Sequence, residues 1–226
     1  MQMIAIREDA WIERVSMGEE QADQALLQHA AAGDQLAWRQ LIDKYQTSLM
    51  RMLRLRLNRR LQGRVDEHDI LQEAYVELHR RLNEYVADPK APPYLWVRHI
   101  VGLKLAEVHR RHLGTQARDA NREITLHRGG LPEADSASLA AQLLGALTSP
   151  SQAVQKAELR LLVQTALAQL DPDDREILAL KHFELLSTVE MAQVLGLSKA
   201  GAGHRYIKAI KRLRQLLEQY PDFAGW

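Results

Sequence analysis

Basic side chains recur along the last stretch of the chain that has helical periodicity, residues 199–219. Lysine, arginine and histidine share this stretch with apolar residues at spacings of three and four positions, as on an amphipathic helix. Cations on one face suit the phosphates and base edges of DNA, while the apolar face packs on the rest of a domain. The predicted DNA contacts are Lys199, His204, Arg205, Lys208, Lys211 and Arg212, and the predicted buried residues are Ile207, Ile210, Leu213 and Leu217.

A short capped segment precedes this basic helix. Ser187 and Glu190 have the spacing of a capping box, which begins a helix that runs to Leu195. Gly196 and the two residues after it predict a turn, so the whole stretch has the pattern of a helix-turn-helix. A solvated basic helix in an ordinary bundle is the alternative for residues 199–219 alone. The capped helix and the turn before it favour DNA binding.

Two other faces with functional potential lie in the first half of the chain. Residues 66–81 have an amphipathic pattern whose apolar stripe leaves Asp69 and Glu73 on a separate face. Residues 94–112 combine Trp96 with a basic run, which suits an opened nucleic-acid strand because bases stack on aromatic rings and phosphates pair with cations. The alternative for Trp96 is a place in the core. The basic run is Arg98, Lys104, His109, Arg110, Arg111 and His112.

A dense group of arginines occupies residues 51–64. It consists of Arg51, Arg54, Arg56, Arg59, Arg60 and Arg64. By itself this group is more typical of a solvated helix face than of a nucleic-acid site, and the net charge of the whole chain is only +1.

Enzyme and cofactor chemistry is not indicated by the sequence. It contains no cysteine, no glycine-rich phosphate loop, no His-Glu-x-x-His motif and no nucleophile elbow. His109 and His112 stand three residues apart without a carboxylate cluster, so we interpret them as part of the basic face. We therefore expect no catalytic residue, no metal and no cofactor.

Signals for export and membrane insertion are also missing. No uninterrupted apolar stretch of about 18 residues occurs, and charged residues interrupt the N-terminus where a secretory signal would be apolar. Together with the lack of cysteine, this predicts a cytoplasmic protein without membrane contact.

Helix formers, caps and breakers predict an all-α fold of two helical domains, without strands. The domains are 23–112 and 149–226, after an N-terminal extension 1–22. The linker 113–148, if flexible, has an r.m.s. span of roughly 33 Å, so the two domains could engage separate sites on one large partner. Helices are predicted over about 22–32, 35–57, 66–81, 94–112, 138–144, 150–170, 172–184, 188–195 and 199–219.

Five segments, in their order and spacing, resemble the extracytoplasmic-function (ECF) sigma factors, a bacterial family with only sigma domains 2 and 4. Gly33-Asp34 with Trp38 and Tyr45 resembles region 2.1 of that family. The other segments resemble regions 2.2, 2.3–2.4, 4.1 and 4.2, and are 66–75, 96–111, 170–180 and 190–209 respectively.

The resemblance implies a role for each domain. Asp69, Gln72 and Glu73 would dock on the clamp helices of the β′ subunit of core RNA polymerase, and the second domain on the β flap. The loop 86–94, with Trp96, Lys104, Arg110 and Arg111, would capture the opened −10 element of promoter DNA. The linker would thread toward the polymerase active-site channel, the last helix would read the −35 element, and an anti-sigma factor is a further expected partner.

Two departures from the family pattern concern the DNA helices. Leu103 stands where the family often has an asparagine near the flipped base, and Gly201 and Gly203 stand where larger residues are usual. These glycines either permit close approach to DNA or leave the start of the helix loosely ordered. The rival interpretations of the chain are a stand-alone helix-turn-helix regulator, against which the region 2.2 segment argues, and a helical scaffold that binds only protein.

Overall fold

The computed structural model describes residues 9–113, 126–127, 131–145 and 153–220. These residues form an all-α fold, as predicted, apart from one pair of two-residue strands that the sequence pattern did not indicate. The elements are α1 (Asp9–Ala31), α2 (Gln35–Arg56), α3 (Glu67–Ala87), α4 (Pro93–Leu113), β1 (Leu126–His127), β2 (Leu131–Pro132), α5 (Ser136–Gly145), α6 (Ala153–Ala168), α7 (Pro172–His182), α8 (Thr188–Leu195) and α9 (Lys199–Leu217).

Helices α1 to α4 form the N-terminal bundle. Asp34 caps α2 by accepting hydrogen bonds from the backbone N–H groups of Leu36 (2.8 Å) and Ala37 (3.1 Å), and Asp66 caps α3 in the same way. The apolar faces of the four helices meet in one core of mainly leucine side chains. Helix α1 begins at Asp9, well before the predicted start at residue 22, so much of the expected N-terminal extension is helical.

Helices α6 to α9 form the C-terminal domain around a second core. Asp171 caps α7 with Pro172 in its first turn, as the sequence indicates. The predicted cap of α6, Ser149 with Pro150, lies outside the described residues. Helix α5 packs along α6, and it confirms the short helix predicted over 138–144.

The two domains and part of the linker are in direct contact. Leu55 of α2 and Leu95 of α4 are buried in the core of the C-terminal domain. Leu131 of β2 lies against α4 so closely that a Cβ atom added to Gly102 would be 2.5 Å from its Cγ. The described linker residues are therefore packed, whereas the sequence predicted a flexible connection, because apolar side chains on the facing sides of both domains bury one another here.

Four buried charges lie at the centre of this contact. The guanidinium of Arg56 donates to the carboxylates of Glu176 and Glu184, with Nε 3.0 Å from Glu184 Oε1. Arg98 Nε lies 2.6 Å from Glu184 Oε2. All four residues are almost completely buried. We call Arg56, Arg98, Glu176 and Glu184 the interdomain ion cluster.

Candidate nucleic-acid interface

The predicted helix-turn-helix is confirmed by α8, the turn after it and α9. Ser187 and Glu190 form the reciprocal capping box at the start of α8, with hydrogen bonds of 2.8 and 3.2 Å. Gly196 ends α8 with a φ of 64°, a left-handed conformation that glycine adopts without strain. Ser198 caps α9 by accepting a hydrogen bond from Gly201 N–H at 3.0 Å, and the helix is continuous through Gly201 and Gly203.

The buried face of α9 differs from the predicted one. Ala202, Ala209 and Leu216 are its buried residues, seven positions apart, and Leu213 and Leu217 pack beside them as predicted. The prediction was wrong for Ile207 and Ile210, which are 52% and 36% exposed. Alanine at 202 and 209 lets the backbone of α9 lie close to the domain, and this sets the register of the helix so that Ile207 faces outward.

Ile207 lies among the cations of the exposed face. A groove beside α9 is lined by four of the predicted DNA contacts, with Ile207 between them and two carboxylates of the α7 turn at its edge. An exposed isoleucine among basic side chains can contact a thymine methyl group in the major groove. The four groove-lining cations are His204, Lys208, Lys211 and Arg212; Lys199 stands in the first turn of the same helix.

Arg205 is held by the first turn of α7. Its guanidinium lies 3.0 Å from carboxylate oxygens of both Asp173 and Asp174, and 3.4 Å from Asp171. Only 27% of the side chain is exposed. The DNA contact predicted for Arg205 would require this arrangement to open, and the geometry instead favours a role in orienting α9 on the domain.

The outer face of α3 carries an acidic and polar stripe. Asp69, Gln72 and Glu73 are all exposed, as predicted, and follow one another at helical spacing. Val76 continues the stripe by one turn and is 54% exposed, and it was not among the predicted contacts. The negative charges of Asp69 and Glu73 disfavour contact of this face with the phosphates of a nucleic acid.

Helix α4 presents the aromatic and basic groups next to this stripe. The indole of Trp96 stacks on Tyr85, with ring centroids 4.2 Å apart, and is half-buried, so it is both part of the bundle and accessible. Lys104 lies 2.9 Å from Glu107 and 4.0 Å from Glu73. The hydrogen bond from Lys104, assisted by nearby positive charge, lowers the pKa of Glu107.

The last turn of α4 carries the two remaining predicted −10 contacts. Arg110 is exposed, whereas Arg111 pairs with Glu107 at 2.8 Å. Their position at the helix C-terminus is also favourable for the helix dipole.

Three residues of the predicted basic runs are not available at the surface. Arg56 and Arg98 belong to the interdomain ion cluster. His109 is 2% exposed, and its Nε2 accepts a hydrogen bond from the backbone N–H of Asn58 at 3.2 Å. Burial lowers the pKa of His109 to about 4, so it is neutral at physiological pH. The interpretation of His109 as a basic-face residue is therefore wrong.

The cluster also shows how charge can be held inside the fold. Burial opposes ionisation of Glu184, but the charges of Arg56 and Arg98 outweigh it and lower the pKa of Glu184 to about 2.

Among the described residues, no three histidine or carboxylate side chains are grouped as metal ligands. Within the same ranges, none of the helices combines the length and apolar character that a membrane span needs.

These features define a helix-turn-helix protein with a separate helical bundle. A model of the ECF sigma factor family matches residues 19–219. The chain therefore belongs to the ECF sigma factors, and its function lies in transcription initiation.

Individual relatives agree with this assignment over most of their length. The chain is 30% identical over 200 residues to the ECF RNA polymerase sigma factor ShbA of Streptomyces griseus, with 86% of this chain and 95% of ShbA covered. It is 25% identical to the RNA polymerase sigma-H factor of Pseudomonas aeruginosa, covering 88% and 95% of the two chains. The structure of CnrH in complex with the cytosolic domain of CnrY has the same fold, with a TM-score of 0.52, 22% identity and coverage of 88% and 98%.

Proposed function

We propose that this protein binds core RNA polymerase and directs it to promoters by recognising −10 and −35 elements and promoting strand opening. The observation that carries the proposal is that one chain of this family presents three separate surfaces: the stripe on α3, the aromatic and basic face of α4, and the exposed face of α9. A stand-alone helix-turn-helix regulator would need only the last of these. We take residues 23–112 and 149–226 as the two functional domains.

The stripe on α3 is the proposed polymerase contact. Asp69, Gln72 and Glu73 offer two charges and an amide to a basic partner surface, and Val76 offers apolar area at its end. Acidic side chains on this surface would attract a positively charged partner surface, as complementary charges do across protein interfaces. The proposed partner is the pair of clamp helices of the β′ subunit, while the C-terminal domain binds the β flap.

Helix α4 is the proposed −10 contact. The half-buried Trp96 is held flat against Tyr85, which gives a preformed stacking surface for an unpaired base. Lys104, Arg110 and Arg111 follow along the same helix and suit the phosphates of the opened strand. Lys104 and Arg111 pair with Glu107, whose side chain is 39% exposed, so exchange of that carboxylate for a phosphate costs little.

The exposed face of α9 is the proposed −35 contact. His204 and Ile207 lie in the first half of the helix, the end that enters the major groove in helix-turn-helix proteins. We assign Ile207 to a thymine methyl group, and Lys208, Lys211 and Arg212 to phosphates. Lys199 stands at the start of the helix and is an additional phosphate contact. Arg205 acts by fixing the helix through Asp173 and Asp174.

Regulation by an anti-sigma factor is part of the proposal. The solved structure of CnrH contains the cytosolic domain of CnrY, and we propose that this chain, which has the same fold, also binds a regulatory protein of that kind. The proposed site of action is the cytoplasm, where core polymerase and promoter DNA are found. We propose no catalytic activity for the chain itself.

Reconstitution with core polymerase tests the proposal. Core enzyme with this protein should give run-off transcripts from selected genomic fragments, whereas core enzyme alone should not. The double variant Asp69→Lys/Glu73→Lys should bind core enzyme at least tenfold more weakly, which corresponds to about 1.4 kcal/mol, without loss of helicity.

The matched control reverses two exposed carboxylates elsewhere. Glu84→Lys/Glu158→Lys changes the net charge equally and leaves the stripe intact, so it should bind core enzyme like the unmodified protein. Equal weakening by both pairs would point to net charge rather than to this face. Specific DNA binding without any affinity for core enzyme would establish a stand-alone regulator instead.

A further inference from the structure

The contact between the two domains has features of a closed state that must open. We propose that the interdomain ion cluster is a latch that keeps the free protein in a closed conformation, and that binding to core polymerase breaks it. This inference rests on the proposed function, because the need for opening follows from the distance between two promoter elements.

The closed arrangement places both proposed DNA helices in one packed unit. Arg98 on α4 bonds Glu184, the second residue after α7, and α7 itself packs on α9. The positions −10 and −35 are 25 base pairs apart by definition, which is about 85 Å along B-form DNA at roughly 3.4 Å per base pair. Two helices that share one packed unit cannot reach both elements at once. The linker 113–148 spans about 120 Å when fully extended, so the chain permits the domains to separate.

The latch joins both domains to the linker at a single point. Besides its two carboxylate partners, Arg56 donates from Nη1 to the backbone carbonyl of Pro132 at 2.8 Å. The neighbouring Glu133 pairs with Arg175 of α7 at 3.0 Å. Release of Arg56 would therefore break the polar contacts of α2 with both α7 and the linker in one step, while the pair of Glu133 and Arg175 still joins the linker to α7.

The chemistry of the contact makes it reversible. Four charges that are buried in the closed state gain water when they separate, and this hydration offsets most of the attraction that is lost. An ion cluster of this kind determines which arrangement the domains adopt but adds little to the stability of that arrangement. A purely apolar interface of the same shape would lack this compensation and would resist opening.

Two features of the interface are energetically unfavourable in the closed state and therefore also favour opening. Leu185, directly after Glu184, has a φ of 60° and is 62% exposed, a backbone conformation that costs energy for a bulky residue. The hydroxyl of Tyr94 lies beside the contact and is buried without a hydrogen-bond partner among the described residues. Opening would let the loop at Leu185 relax and let water reach Tyr94.

Paired spin labels measure the distance between the two domains in the full chain. The sequence has no cysteine, so Gln40→Cys on α2 and Leu161→Cys on α6, both exposed, give two unique labels. Dipolar spectroscopy should find one short distance between the labels in the free protein and an increase of tens of ångströms after core polymerase is added.

Charge reversal and charge exchange test the cluster itself. Glu184→Arg brings three arginines together and should give the long distance already in the free protein. Arg98→Glu/Glu184→Arg restores two charges of each sign and should return the short distance. Gly102→Val, which displaces Leu131 without changing charge, should also lengthen it. Circular dichroism checks that the helices of each variant are intact.

Core binding supplies the second measurement. If the closed state dominates, with roughly 10% or less of the molecules open, Glu184→Arg should bind core polymerase about tenfold or more tightly, because no free energy is spent on opening.

The outcomes separate this proposal from the proposed function. A free Glu184→Arg protein with the same label distance as the parent overturns the latch. So does a parent protein whose domains are already apart, or one that binds core enzyme without a change in distance. If neither the parent protein nor Glu184→Arg binds core polymerase, the proposed function is refuted, while the distances in the free protein still decide whether the cluster closes the chain.

Discussion

The buried histidine of α4 should make the N-terminal bundle sensitive to mild acid. Burial lowers the pKa of His109 from 6.5 to about 4. Below pH 6.5 the unfolded chain binds a proton at this residue while the folded chain does not, so the folded state loses stability as the pH falls toward 4. Each pH unit in this interval costs about 1.4 kcal/mol, and the whole interval costs about 3 kcal/mol.

The variant His109→Gln isolates this contribution. A glutamine carbonyl can still accept the hydrogen bond from Asn58 N–H, and it does not titrate. At pH 7.5 we expect a loss of about 1 kcal/mol in the free energy of unfolding from imperfect packing. At pH 4.5 the variant should equal or exceed the stability of the parent, because the parent has by then lost nearly 3 kcal/mol to proton binding by its unfolded chain.

Urea unfolding at several pH values measures this difference. Fluorescence of Trp38 and Trp96 reports on the bundle, since both rings pack against its core. His112→Gln, an exposed change on the same helix, is the matched control and should leave the pH dependence unaltered. Stability curves of the parent and of His109→Gln that run parallel between pH 7.5 and 4.5 would refute the argument.

Two further predictions concern α9. Arg205→Ala should lower the free energy of unfolding by about 2 kcal/mol, because Asp174 stays buried without its cation. The variant should also weaken holoenzyme binding to all members of a randomised −35 library alike. A change of preference at one base pair would instead show that Arg205 contacts a base. Ile207→Ala should leave stability nearly unchanged and relax a thymine preference at one position by about 1 kcal/mol. Ile210→Ala is its control, and an unaltered preference profile for Ile207→Ala would remove that residue from DNA recognition.

Local signals were sufficient to predict the helix-turn-helix and the presence of each helix, although α1 begins earlier and α3 ends later than predicted. The caps at Asp34, Asp171 and Ser187 each bind backbone groups two or three residues away, so short sequence patterns contain the whole interaction. The exposed positions of Asp69 and Glu73 followed in the same way, from the apolar stripe beside them.

The interdomain contacts could not be predicted in this way. Arg56 lies 120 and 128 residues from Glu176 and Glu184, and nothing in its local sequence distinguishes it from the exposed arginines around it. The same holds for His109, whose partner Asn58 is 51 residues away. For Ile207 the error had another origin: small alanines at 202 and 209 set the buried face of α9, while the prediction gave more weight to large apolar residues.

The close approach of Leu131 to Gly102 also constrains how the sequence can vary. A side chain at position 102 would occupy the space of the Leu131 isobutyl group, so each position limits what the other accepts. Relatives that keep this contact should therefore retain glycine at 102 or exchange it together with a reduction in size at 131. Relatives in which both positions vary independently should have no contact between the linker and α4 at this point.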